Sequence, residues 1–162
     1  MVKLASPAGA LVLGIGNLLL TDEGVGIHVV RYLARHHAGL PGVDYVDGGT
    51  LNFLLAPRIG DVAQLVVVDA ANLGATPGTR RFFEGEAMDR FLHGKGRSAH
   101  EVGLLDLLTM TRLVGRLPAQ RALIGIQPAS LDWGDQPSQL VASAIPPAAQ
   151  EAVSLIERWN RH

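Results

Sequence analysis

Four carboxylates and one imidazole stand where an α/β chain gathers its loops: Asp22, Glu23, Asp47, Asp69 and His100. Asp22 and Glu23 follow the first apolar run, Asp47 and Asp69 close the next two, and His100 opens a helical pattern. Oxygen donors with one imidazole nitrogen make a site for a hard or borderline divalent cation. His100 falls in a first helical turn, where the positive end of the helix dipole disfavours imidazolium and keeps the ring in its metal-binding form. Carboxylates crowded at a partly buried edge repel one another, and a cation relieves that cost. Two carboxylates and a histidine suit zinc, nickel or iron, and the donor set does not separate the three.

Each residue also has an ordinary reading. Asp22 or Thr21 can cap the first helix, and Asp47 beside Gly48-Gly49 can be a turn residue. Ser98-Ala-His-Glu101 reads as a capping box, with Ser98 bonding the third helical amide and Glu101 reaching back. The remaining histidines (His28, His36, His37, His93, His162) fall on helix-surface, loop or terminal patterns.

The elements that must position these groups follow from hydrophobic patterning. Ala10 to Ile15 and Gln64 to Asp69 are continuous apolar runs, the mark of strands buried on both faces. Val43 to Asp47, Thr79 to Glu84 and Arg121 to Ile126 complete five predicted strands. Helical spacing is predicted over Gly24 to His37, over a segment ending near Gly60, and after Ser98. A terminal helix is predicted to start at Pro146-Pro147, while Gly85 to Arg97 is ambiguous. Alternating strands and helices predict an α/β three-layer sandwich, a mostly parallel five-stranded sheet with helices on both faces. In such sheets the ligand site lies beyond the carboxyl ends of the strands, which brings Glu23, Asp47 and Asp69 to one edge with His100.

Composition narrows the classes. With 162 residues, 48% hydrophobic and 18% charged, the chain is read as one globular domain over 1–162. A net charge of −1 gives no basic field for nucleic acid or anionic membrane. No stretch reaches the roughly 18 apolar residues of a membrane span, and no signal peptide is evident, so a cytoplasmic location is expected. The absence of cysteine removes disulfides, thiolate nucleophiles and CxxC metal sites. Gly14-x-Gly16 follows a strand, but Leu19 stands where a dinucleotide fingerprint has its third glycine. There is no phosphate-binding P-loop and no Gly-x-Ser-x-Gly elbow.

Gly14-Ile-Gly-Asn-Leu-Leu-Leu-Thr-Asp-Glu-Gly-Val-Gly26 resembles the N-terminal signature of the NiFe-hydrogenase maturation endopeptidases. The likeness continues at Asp47-Gly-Gly-Thr50, Val67-Val-Asp-Ala70, Ser98-x-His-x-x-Gly-Leu-x-Asp106 and Gly125-Ile-Gln-Pro-x-Ser-Leu131, in order along nearly the whole chain. The resemblance implies a twisted sheet between helices and metal contact by Glu23, Asp69 and His100. It implies a single-cut endopeptidase that removes a C-terminal extension from the hydrogenase large-subunit precursor after nickel insertion. The nickel would come with the precursor rather than stay on the protease. Which of Glu23, Asp47 and Asp69 serves as general base is open at this stage. So are two other classes: a self-contained metal-dependent peptidase or amidohydrolase, and a non-catalytic metal-delivery chaperone.

Overall fold

The apolar runs form the middle of a five-stranded sheet. The computed structural model describes residues 5–49, 53–94 and 99–162, without the side chains of Ala99, His100 and Val102. The strands are β1 (Ala10–Ile15), β2 (Val43–Gly49), β3 (Gln64–Ala70), β4 (Arg80–Glu84) and β5 (Gln120–Ile126). Their order is β2-β1-β3-β5-β4. Every pairing is parallel except that of β4 with β5. The helices are α1 (Val25–His36), α2 (Leu55–Gly60), α3 (Glu86–His93), α4 (Ala99–Leu113) and α5 (Gln139–Asn160). The expected α/β sandwich is therefore present. No helix among the described residues is long and apolar enough to cross a membrane.

Side-chain alternation sorts the core into two layers. Val12, Val66, Val68 and Ile124 pack beneath α1 and α5. Leu11, Leu13, Leu65, Val67 and Leu123 face the opposite way, beneath α2, α3 and α4. The central strands are buried on both faces and so need no alternation in hydrophobicity, which is why they read as unbroken apolar runs. Ion pairs fasten the rim. Asp89 of α3 accepts from Arg121 Nε (3.1 Å) and Nη2 (2.6 Å) and from Arg112 Nη2 (3.0 Å), joining α3 to β5 and α4. Glu84 accepts from Trp159 Nε1 at 2.8 Å and Arg158 Nη2 at 2.9 Å, closing α5 onto β4.

Two elements differ from the sequence reading. The ambiguous segment after Gly85 contains α3, too short and too charged for its two buried residues, Met88 and Leu92, to announce it. The terminal helix begins at Gln139, and Pro146 and Pro147 lie inside it. Interior prolines each remove a hydrogen bond and ordinarily break a helix. Here Val141 and Ala144 of the first turns are buried in the core, and that packing carries the helix through.

The chain leaves β1 for α1 and β2 on one side, and β3 lies on the other. The carboxyl ends of β1 and β3 thus border the switch point where such sheets bind ligands. Helix α1 starts hard against this crevice. A Cβ on Gly26 would stand 2.1 Å from the Val68 carbonyl oxygen and 2.7 Å from that of Ile15, so only glycine permits this approach.

Candidate active site

Between β1 and α1 the chain makes one 3-10 turn, Thr21–Gly24, that carries Asp22 and Glu23. The turn folds back over the end of β1 because Gly16 has a φ of 144° and no Cβ; one there would lie 2.0 Å from the Glu23 carbonyl oxygen. Thr21 has a φ of 46°, costly for a β-branched residue. Its cost is met by the segment that follows β5. Thr21 donates from its amide to the Gly134 carbonyl (2.9 Å) and from Oγ1 to the Ser130 carbonyl (2.8 Å). Leu20 and Gly134 form a parallel bridge.

Asp22 does not cap α1. The residue before that helix is Gly24, and no side chain caps it. Instead Asp22 is fully buried and accepts four hydrogen bonds: from the amides of Ala129 (2.8 Å), Ser130 (2.9 Å) and Ser138 (2.6 Å), and from Ser138 Oγ (2.8 Å). Burial pushes its carboxyl upward, but the four donors outweigh burial and hold it below its ordinary value. The residue is a clasp that fixes the 129–138 segment to the turn bearing Glu23.

Asp69, at the end of β3, is 1% exposed, and among the described residues neither carboxylate oxygen has a hydrogen-bond partner. Burial above all raises its pKa well beyond the usual carboxylate range. The negative charge of Glu101 adds to this, the Ala70 amide opposes it from outside hydrogen-bonding geometry, and Glu23 adds to it again. Glu23 itself is half-buried. Glu23 and Asp69, two residues the sequence reading placed together, thus lie within electrostatic reach of each other. That reading missed Glu101, which is 3% exposed in the first turn of α4. The capping-box spacing explained that glutamate locally and hid its place beside Asp69.

Asp47 stands apart. Its Oδ1 accepts from the Gly49 amide (2.9 Å), its Oδ2 lies 3.8 Å from Arg31 Nη2, and it is exposed. This is the turn reading of that residue. His100 falls within the first turn of α4, but its side chain and the capping Ser98 lie outside the described residues. Among the described residues no three histidines or carboxylates stand ready-made as a cation site.

What the crevice offers is a buried carboxyl, its pKa raised by burial, within electrostatic reach of Glu101 and Glu23. Two uncompensated oxygens in a dry site are costly unless a proton or a cation occupies them. The donor set therefore fits an incoming divalent ion.

A family model described as hydrogenase maturation protease matches residues 27–155. The hydrogenase expression/formation protein HoxM of Cupriavidus necator is 36% identical over 149 residues, spanning 91% of this chain and 74% of that protein. The hydrogenase 2 maturation protease of Escherichia coli is 31% identical over 147 residues, 90% of this chain and 89% of its own. Among solved structures, the hydrogenase maturating endopeptidase HybD of Escherichia coli superposes with a TM-score of 0.87 at 30% identity over 93% of each chain. HybD of Thermococcus kodakarensis gives 0.77 at 32% identity, over 91% of this chain and 99% of that one. Agreement this long, in sequence and in backbone, places the chain in the hydrogenase maturation protease family, as an endopeptidase.

Proposed function

We propose that this chain cuts the C-terminal extension from a NiFe-hydrogenase large-subunit precursor once nickel has been inserted, and that it reads the nickel the precursor carries. The observation that carries this reading is Asp69, a buried carboxyl with both oxygens unpartnered among the described residues, beside Glu23 and Glu101. A cation relieves the cost of burying that carboxylate, so the site favours a metal-loaded substrate over an empty one. In this reading Glu23, Asp69 and His100 contact the nickel, and thiolates come from the substrate, since the chain has no cysteine of its own. The nickel is part of the substrate rather than a resident cofactor, and the reaction belongs in the cytoplasm.

The chain's own residues then do three things. Asp69 gives up its proton as the ion docks, and the docked centre fixes the scissile peptide bond near the strand ends, so that recognition becomes orientation. Glu23, half-buried and therefore reachable by water, accepts the proton of the attacking water. Backbone amides of the glycine-rich turns stabilise the developing oxyanion. Asp47 is exposed and faces Arg31, whereas Glu23 lies within electrostatic reach of Asp69, and that nearness to the buried carboxyl favours Glu23 as the base.

The test is incubation of the purified chain with nickel-loaded and nickel-free precursor, read by intact mass. Loss of a C-terminal peptide from the loaded form alone is expected. Equal trimming of both forms would remove nickel from the recognition step.

A further inference from the structure

Beside Glu23 lies an apolar patch that the fold itself does not use. Leu19, Leu131 and Trp133 are 59%, 55% and 80% exposed. They are not on a loose loop. The Gly134 amide donates to the Leu19 carbonyl at 2.9 Å, the Thr21 amide to the Gly134 carbonyl at 2.9 Å, and Asp22 clamps Ser130 and Ser138 on either side. The bridge between Leu20 and Gly134 sets Leu19 next to Trp133 across a short parallel ladder. An exposed indole on a hydrogen-bonded backbone, with Leu19 opposite it in register and Leu131 two residues before it, has the composition of an interface hot spot.

We propose that Leu19, Leu131 and Trp133 dock an apolar segment of the protein substrate that lies next to the bond being cut and is bordered by basic side chains. The proposal rests on the assignment of Glu23 and Asp69 to the site. Continuity supplies the first argument: Leu20 pairs with Gly134, and Glu23 follows three residues later on the same turn, so a chain reaching Glu23 passes the patch. Charge supplies the second. Asp132 and Asp135 flank Trp133, both are exposed, and neither has a cationic partner among the described residues. An acidic rim favours a basic neighbour in the partner. It also disfavours a second copy of this chain on the same patch, because that would set acidic rim against acidic rim.

The experiment is steady-state trimming of nickel-loaded large-subunit precursor by the full chain. Trp133→Ala is expected to raise KM at least about tenfold, with kcat within about twofold and an unchanged melting temperature. Leu113→Ala, an equally exposed leucine at the end of α4, should alter neither. The double change Asp132→Asn with Asp135→Asn should raise KM about threefold at low salt and flatten its dependence on ionic strength. An unchanged KM for Trp133→Ala overturns the proposal. So does a change in the oligomeric state of the free Trp133→Ala chain, which would assign the patch to self-association. A wild-type chain that leaves the precursor uncut would defeat the functional reading instead. In that event calorimetric titration with the same precursor still decides the patch, and equal affinity of wild type and Trp133→Ala overturns it.

Discussion

Replacing Asp22 with asparagine keeps the size of the side chain and removes its charge and one acceptor oxygen. Three amides and one hydroxyl now donate to that carboxylate, at 2.6 to 2.9 Å, in a site with no exposure. Oδ1 accepts only from the Ser138 amide while Oδ2 accepts the other three, so the variant's NH2 group, placed at the Oδ1 position, faces that amide and at least one of the four bonds is lost inside the protein. A hydrogen bond to a charged group is worth about 1.5–3 kcal/mol, and an amide left unsatisfied in the interior costs about 1–3 kcal/mol, so the expected loss is about 1.5–3 kcal/mol. For a chain of this length that corresponds to a fall in melting temperature of roughly 3–12 °C. The pH dependence identifies the cause. The folded-state pKa of Asp22 lies below the ordinary 3.8, so its contribution is complete above 3.8 and is lost as pH falls through the folded value. Urea unfolding of wild type and Asp22→Asn should differ by a constant amount from about pH 5 to 8, and the two should converge in stronger acid. A difference below about 1 kcal/mol at neutral pH, or one that persists undiminished in acid, would refute the clasp.

Asp69→Asn should abolish trimming while leaving the melting temperature at neutral pH equal or higher. The native Asp69 carboxyl holds its proton more tightly than the unfolded chain does, so wild-type stability declines as pH rises above 3.8, and the variant lacks that decline. Parallel melting profiles for the two proteins across this range would refute it. Gly26→Ala would press a methyl group to 2.1 Å from the Val68 carbonyl oxygen. It should cost about 3 kcal/mol in urea unfolding, and a loss under about 1 kcal/mol would mean that α1 is free to move off the sheet. Glu23→Gln should lower kcat far more than Asp47→Asn in the precursor assay; an equal fall in the two variants would take the role of base away from Glu23.

The strands were legible in the sequence because burial on both faces leaves an unbroken apolar signature, as in Leu65 to Val68. The site was legible in part for a related reason. Carboxylates that end such strands must emerge at one edge, and Glu23 and Asp69 do. The remainder depended on partners remote in sequence. Asp22 looked like a cap because Gly24-Val25 opens a helix two residues on, whereas its actual donors are residues 129, 130 and 138. Glu101 looked like half of a capping box, and local spacing carries no sign of burial against β3. The start of α5 was placed at Pro146-Pro147 because proline favours first helical turns. The buried contacts of Val141 and the anchoring of Ser138 extend the helix upstream of both prolines. Leu131 and Trp133 lie in a polar segment, and only the bridge between Leu20 and Gly134 ties that segment to the turn of Glu23.

The clasp between Asp22 and Ser138 also bears on when this enzyme becomes active during its own synthesis. The turn that presents Glu23 is strained at Thr21 and takes its final form only when Ser130, Gly134 and Ser138 are available to hold it. Contacts of such long sequence separation form late. A nascent polypeptide therefore cannot assemble its cutting apparatus until residues 130–138 have left the ribosome, more than a hundred residues after the turn they hold. Proteolytic competence in this way waits on the synthesis of the segment after β5.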